Sequence, residues 1–239
     1  PDVYLQNDSH IRFYGGDLNE AASGGQAGFG LLIHGAVNYV SWWGFVVHDV
    51  GNTALAVFPA EAPSSNLDLK GEVYDWGRNL SWDPHAEKGT GLQGVNLSDA
   101  AYSLTDSRIA VYAHDSASGS GMELGSDTAS STGNTIYVWC QNLTKVATSQ
   151  VAGNCLQVWG RNTLSDDVQY LEAENLTGRP YDANGVYSGQ SLSTDTVEYG
   201  RASNTNTNPY LASTESGIPS GELWDTRYGT SFANVAPLP

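Results

Sequence analysis

Lysine occurs only three times in this 239-residue chain, at Lys70, Lys88 and Lys145, and methionine once, at Met122. The other cations are Arg12, Arg78, Arg108, Arg161, Arg179, Arg201 and Arg227, set against 26 acidic residues, for a net charge of -16. A nucleic-acid partner needs a basic stripe, and none is present. Long apolar runs are missing too. The richest stretch, Phe29 to Val50, is broken by His34, Asn38, Ser41 and His48. No run approaches the roughly 18 apolar residues of a membrane helix, so transmembrane insertion is not expected.

Helical periodicity is nearly absent. The best helical segment is Asp166 to Asn175, an acidic pair followed by Val168, Tyr170 and Leu171. Short strand-like runs dominate instead, bounded by Gly, Asn, Asp, Ser and Pro. They include Val3 to Gln6, His10 to Tyr14, Phe29 to Val37, Trp42 to Val50, Arg108 to Ala113, Thr135 to Gln141 and Cys155 to Gly160. Trp42 to Val47 is apolar on both faces, as in a central strand covered twice. The expected class is all-β, a jelly-roll-like β-barrel or sandwich. Trp76-Gly77-Arg78-Asn79 echoes Trp159-Gly160-Arg161-Asn162, which is compatible with a second stacked β unit.

Cysteine is scarce, with Cys140 and Cys155 alone. Each lies in a strand-like run, and a polar link separates them. Neighbouring strands of one hairpin would bring them into bridging range; two buried thiols are the alternative. Pro1-Asp2-Val3 follows no basic or hydrophobic leader, and the expectation is a chain that has lost an initiator methionine.

High acidity with few lysines has a physical consequence. Self-repulsion at this charge disfavours a compact state unless salt screens it, and at about 1 M salt the Debye length falls to roughly 3 Å. A salt-rich environment is therefore expected.

The motifs that could carry chemistry are weak. Gly229-Thr230-Ser231-Phe232-Ala233 looks like the nucleophile segment of subtilisin-type proteases, with His34 and Asp17 in the matching chain order. Only eight residues follow Ser231, too few for the helix that such a serine opens. Of the histidines, His48-Asp49 and His114-Asp115 form adjacent pairs that a regular strand would point to opposite faces. Asp115, Glu123 and Asp127 frame a Ser/Gly-rich loop lacking the alternating ligands of a calcium loop. No spacing singles out a carboxylate pair for glycoside hydrolysis. Five Asn-x-Ser/Thr triplets begin at Asn7, Asn79, Asn96, Asn142 and Asn175. The chain is expected not to be an enzyme, with no catalytic residue, no metal ligand and no cofactor.

Aromatics do ask for an account. Trp42, Trp43, Trp76, Trp139 and Trp159 are expected in the core. Trp82 and Trp224 lie in turn-like or tail segments, where they could stack on a sugar ring or anchor an interface. Residues 1–201 read as the β-barrel region. Residues 202–239 lose periodicity yet retain Trp224, Tyr228 and Phe232, an extended arm with three interface anchors.

Size, acidity, lysine scarcity, the Pro-initiated N-terminus and the continuous β pattern together resemble the larger major capsid proteins of halophilic, membrane-containing icosahedral viruses of archaea, the vertical single β-barrel group. That resemblance implies a jelly-roll-like barrel upright in the capsid, with a second stacked barrel as a tower. It implies synthesis in the host cytoplasm and residence in the virion capsid near the internal viral membrane. The partners implied are other copies of the chain and a second, smaller capsid protein. The competing expectation is a secreted carbohydrate-binding or adhesin-like β-sandwich.

Overall fold

A computed structural model describes residues 3–19, 29–59, 62–77, 94–98, 102–116, 119–125, 131–144, 153–160, 164–178, 181–186, 196–197 and 200–203. The fold is all-β, with no helix among those residues. The described residues climb in seven rungs, each placing a strand in a narrow sheet and then one or more in a broad sheet. Rung one is β1 (Val3–Gln6), β2 (Ser9–Tyr14) and β3 (Asp17–Asn19). Rung two is β4 (Leu31–His34) and β5 (Asn38–His48); rung three is β6 (Leu55–Phe58), β7 (Ser64–Ser65) and β8 (Asp68–Tyr74). Rung four is β9 (Val95–Ser98), β10 (Leu104–Thr105) and β11 (Arg108–Ser116); rung five is β12 (Met122–Gly125) and β13 (Ser131–Leu143). Rung six is β14 (Leu156–Gly160) and β15 (Leu164–Glu174), and rung seven is β16 (Tyr181–Val186), β17 (Thr196–Val197) and β18 (Gly200–Ser203).

The first strand of every rung joins the narrow seven-stranded sheet, β1-β4-β6-β9-β12-β14-β16, and the remaining strands form the broad eleven-stranded one. Pairing in the broad sheet closes a ring through β10, β7, β5, β8, β11 and β13. The ring arises because β5 and β13 each lie against both a short strand and a long one. At that break the backbone is left-handed, with positive φ at Tyr39, Asn66, Asp106 and Gly133.

The all-β class and closure about one core are as expected. Strand direction is what sequence periodicity did not reveal. The ladders are parallel throughout, whereas the neighbours in a jelly roll are antiparallel. Parallel neighbours need a crossover, and here each crossover is the strand of the opposite sheet. The architecture is therefore a two-sheet solenoid.

Its core forms where the sheets face each other. In β4, Leu31 and Ile33 are buried while Leu32 and His34 are half-buried, the period of two that a strand imposes. Like residues then stack from rung to rung. Trp42, Leu69, Ile109 and Ile136 share one inward column; Val47, Val73, Ala113, Cys140 and Ala173 share another. Truncating such a residue, for example Ile136→Ala, costs roughly 2–5 kcal/mol.

Four readings are corrected. Asp166 to Asn175 is strand, part of β15, because β13 supplies a ladder along it. Trp76 follows β8 whereas Trp159 lies within β14, so their echo marks different places in the rung. Ala202 and Ser203, assigned to the arm, belong to β18; residues 204–239, with Trp224, Tyr228 and Phe232, lie outside the described residues.

The fourth concerns the cysteines. Cys140 and Cys155 form a disulfide with Cα atoms 5.4 Å apart, but not within a hairpin. Cys140 is on β13 of the broad sheet and Cys155 immediately precedes β14 of the narrow one. The bridge thus ties the two sheets across the core. One rung earlier, the register position of Cys155 is held by Gly121, whose Cβ would fall 2.7 Å from Cys140 Sγ. At Gly121 a side chain would collide with the sulfur of the bridge.

Candidate functional site

The outward face of the broad sheet gathers most of the ring and charge chemistry of the described residues. Stacked parallel rungs place side chains in columns about 4.8 Å apart along the axis. One column runs His48, Tyr74, His114, Gln141 and Glu174. The adjacent inner column runs Val46, Glu72, Tyr112, Trp139 and Glu172. Rings interleave between them. His48 and Tyr74 stack at 4.6 Å, Tyr74 and His114 at 5.1 Å, and Tyr112 lies 4.2 Å from His114 and 4.4 Å from Trp139.

Each histidine sits between two carboxylates. His48 Nδ1 is 2.6 Å from Asp49 Oδ2 and its Nε2 is 2.8 Å from Asp17 Oδ1. Two rungs further, His114 Nδ1 is 2.8 Å from Asp115 Oδ2 and its Nε2 is 2.7 Å from Glu72 Oε1. Adjacent His-Asp pairs were expected on opposite faces. They meet because Asp49 and Asp115 leave the strand with φ of 54° and 47°, turning the carboxylate back onto the ring. Asp75, Asn142 and Asn175 take the same left-handed backbone at or next to the ends of β8, β13 and β15. Asn142 Nδ2 donates to Asp115 Oδ1 at 2.7 Å, and Asn175 Nδ2 donates to Asn142 Oδ1 at 3.1 Å. The result is an Asp/Asn ladder along one edge of the face. Asp and Asn accept left-handed backbone more readily than other side chains, which fixes their place there.

These surroundings set the protonation states. Burial opposes charge on His48, but the hydrogen bonds to Asp49 and Asp17 outweigh it and raise its pKa. Burial would raise Asp115, yet the bonds from His114 and Asn142 hold it below the usual carboxylate range. Tyr112 is pushed up to about 12 by burial and by Asp115, Glu72 and Glu174. Tyr74 is raised for the same reasons, with Asp17 and Asp49 the leading charges. The phenols therefore stay donors, and Tyr112 Oη donates to Gln141 Oε1 at 2.5 Å.

A hollow of about 300 Å³ opens in this face, lined among others by Gly44, Lys70, Glu72, Ala110, Tyr112 and Trp139. Its cause is local. A bulge between Trp43 and Phe45 leaves Gly44 unpaired at φ 76°, and Ala110 presents only a methyl two rungs away. Trp139 was expected in the core but lies half-buried on this outer face. Its Nε1 is buried without a hydrogen-bond acceptor. Trp43, also assigned to the core, is exposed and donates from Nε1 to Asp68 Oδ2 at 2.9 Å, so β5 is covered on one face only. Trp42 and Trp76 are buried as expected.

Other residue groupings do not assemble. His34 belongs to the narrow sheet, hydrogen-bonded to Tyr4, while Asp17 belongs to the broad one, and Ser231 lies outside the described residues. Asp115 ends β11 of the broad sheet and Glu123 is buried on β12 of the narrow sheet; Asp127, Trp82 and His85 lie outside the described residues. Among the described residues no group of three His, Cys, Asp or Glu side chains is arranged to hold a metal ion. No family model, curated protein or solved structure matches the chain.

Proposed function

We propose that this chain is a surface-exposed, adhesin-like glycan-binding solenoid, which holds a sugar chain across the outward face of its broad sheet. The observation that carries this reading is the hollow at Gly44 and Ala110. There Tyr112 and Trp139 provide ring surface, with the Glu72 carboxylate as an acceptor and the Lys70 ammonium as a donor beside them. Apolar ring surface beside a few placed polar groups is the usual make-up of a small-ligand site. The Cys140–Cys155 bridge fits an oxidising compartment outside the cell. Binding is tested by calorimetry against a panel of oligosaccharides, using the intact protein and Ala110→Leu. The larger leucine side chain occupies the hollow that Ala110 lines, so affinity should fall. Equal affinity in both proteins would contradict the reading.

A second reading is a virion structural protein that assembles with its own copies and a smaller capsid protein. Its specific support is a collar of exposed Tyr4, Tyr14, Tyr39 and Trp43 around rungs one and two, beside β1, β2 and β3, which among the described residues pair on one side only. Exposed aromatics and free sheet edges are features of surfaces that dock. Acidity and lysine scarcity support it equally, whereas parallel strands lend nothing to the upright jelly-roll form. Sedimentation in multi-molar salt tests it: persistent monomers at high concentration, alone and with the smaller protein, would count against assembly.

A further inference from the structure

Three cations whose side chains the structure describes, Arg12, Lys70 and Arg108, share one face. Arg12, Lys70 and Arg108 all project from the outward face of the broad sheet. Arg12, Ser41, Asp68 and Arg108 form one column over rungs one to four, and Lys70 stands in the next column, on the wall of the hollow. None of the three makes an ion pair with a described residue. Asp68, the acid nearest in register, has its Oδ2 engaged by the Trp43 indole. The Arg108 guanidinium lies 5.1 Å over the Tyr137 ring instead. Arg12 and Arg108 are exposed and Lys70 is half-buried on the wall of the hollow, so all three are placed to meet an anionic group from solvent.

Apart from Asp68, which stands in the column of Arg12 and Arg108, the acids around the two histidines lie to the other side. Asp17, Asp49, Glu72 and Asp115 are gathered around His48 and His114. Along the solenoid axis the face therefore carries a cation-bearing strip, with Arg12, Lys70 and Arg108 around Asp68, beside an acidic, histidine-bearing strip, with the hollow at their border. From rung one to rung four the cationic strip is roughly 14 Å long, three strand spacings.

We infer that the ligand of this site is an acidic polysaccharide, lying along the solenoid axis with its anionic groups on Arg12, Lys70 and Arg108 and a ring in the hollow beside Trp139. This inference rests on the glycan-binding reading and names its ligand class. Carboxylate and sulfate share the needed chemistry, since both accept charge-assisted hydrogen bonds from Lys and Arg. The acidic strip excludes the opposite placement, because an anion there would face Glu72 and Asp115. Long-range repulsion by the whole protein is screened in about 1 M salt, where the Debye length is roughly 3 Å, so contact pairs decide.

The test uses three oligosaccharides of equal length: one carrying uronic carboxylates, one sulfated and one neutral. Each is titrated calorimetrically into the full chain, Lys70→Gln, Lys70→Arg and Arg108→Gln in about 1 M salt. Losing one charge-assisted contact of 1.5–3 kcal/mol corresponds to a loss of about tenfold or more. The expected result is binding of at least one anionic ligand, about tenfold weaker in Lys70→Gln and Arg108→Gln and largely kept in Lys70→Arg. The carboxylate and sulfate arms show which group is preferred. A neutral ligand bound as tightly as the anionic ones, or Gln variants at full affinity, would overturn the ligand class while leaving glycan binding intact. Binding of none of the three would overturn both.

Discussion

The His48 and Tyr74 rings lie 4.6 Å apart and within 4° of parallel, although 26 residues separate them in sequence. Register, not sequence proximity, brings them together: they are direct partners in the β5–β8 ladder. The β8–β11 ladder adds His114 to the same outward column, so imidazole and phenol rings stack along it as a unit.

That unit makes stability depend on pH with a definite sign. His48 has its pKa raised in the folded state, so its stabilisation is complete below the unfolded value near 6.5 and is lost as pH rises through the folded value. Asp17 is well exposed, which weakens its share through screening. The intact protein should outlast His48→Gln in thermal unfolding at pH 5.5 by a clear margin, and the margin should shrink at pH 8.5. A constant difference across that range would show that His48 does not titrate as described.

The Asp/Asn ladder predicts an ordering of substitutions. Asn142→Ala loses two side-chain hydrogen bonds and places a Cβ residue with poor left-handed tolerance at φ 54°. Together these cost roughly 1–3 kcal/mol. Asn142→Gly loses the bonds but keeps the backbone freedom, and should cost less. Urea denaturation of the two variants measures the order; glycine the more damaging of the two would refute the backbone argument.

For the disulfide, the closed segment spans 15 residues, for which chain entropy gives about 3 kcal/mol. The double variant Cys140→Ala, Cys155→Ala should fold with an unchanged far-ultraviolet spectrum, since small residues occupy the equivalent position in earlier rungs. Its unfolding midpoint should drop accordingly. An unchanged midpoint would mean that the bridge constrains nothing the fold does not already hold.

Charge predicts a response to salt. Going from about 0.1 M to several molar shortens the Debye length from roughly 10 Å to below about 3 Å, which relieves repulsion at net charge -16. The thermal midpoint should rise over that range, and a flat response to salt would remove the case for a salt-rich habitat.

Much of the strand content was legible because alternation is local. Val3–Gln6 was anticipated residue for residue, and Arg108 to Ala113 and Thr135 to Gln141 fell within β11 and β13. Parallel direction was not legible, since a period of two is the same whichever way the neighbour runs. Nor was the solenoid repeat, because loops of unequal length conceal it: Leu31, Leu55, Val95, Met122 and Leu156 are register partners at steps of 24, 40, 27 and 34 residues. A signal did exist. Val47-His48-Asp49, Val73-Tyr74-Asp75, Ala113-His114-Asp115, Cys140-Gln141-Asn142 and Ala173-Glu174-Asn175 share an apolar residue, an outward polar or aromatic one and a left-handed Asp or Asn. Asn142-Leu143-Thr144 and Asn175-Leu176-Thr177, read as glycosylation triplets, are that corner in successive rungs. The hollow could not be foreseen, because it depends on a bulge at Gly44 meeting Ala110 from a strand two rungs away.

The central claim is that ligand engages the outward face of the broad sheet at Trp139, and indole resonances test it directly. Seven tryptophans give seven indole N–H signals in the ¹⁵N-labelled protein, assignable by single Trp→Phe variants. Trp76 provides the internal control: its Nε1 is also buried without an acceptor, but its side chain is sealed in the core. Titration with the acidic oligosaccharide should shift the Trp139 signal in a saturable way and leave Trp76 in place. Saturable binding that leaves Trp139 unmoved would contradict the account.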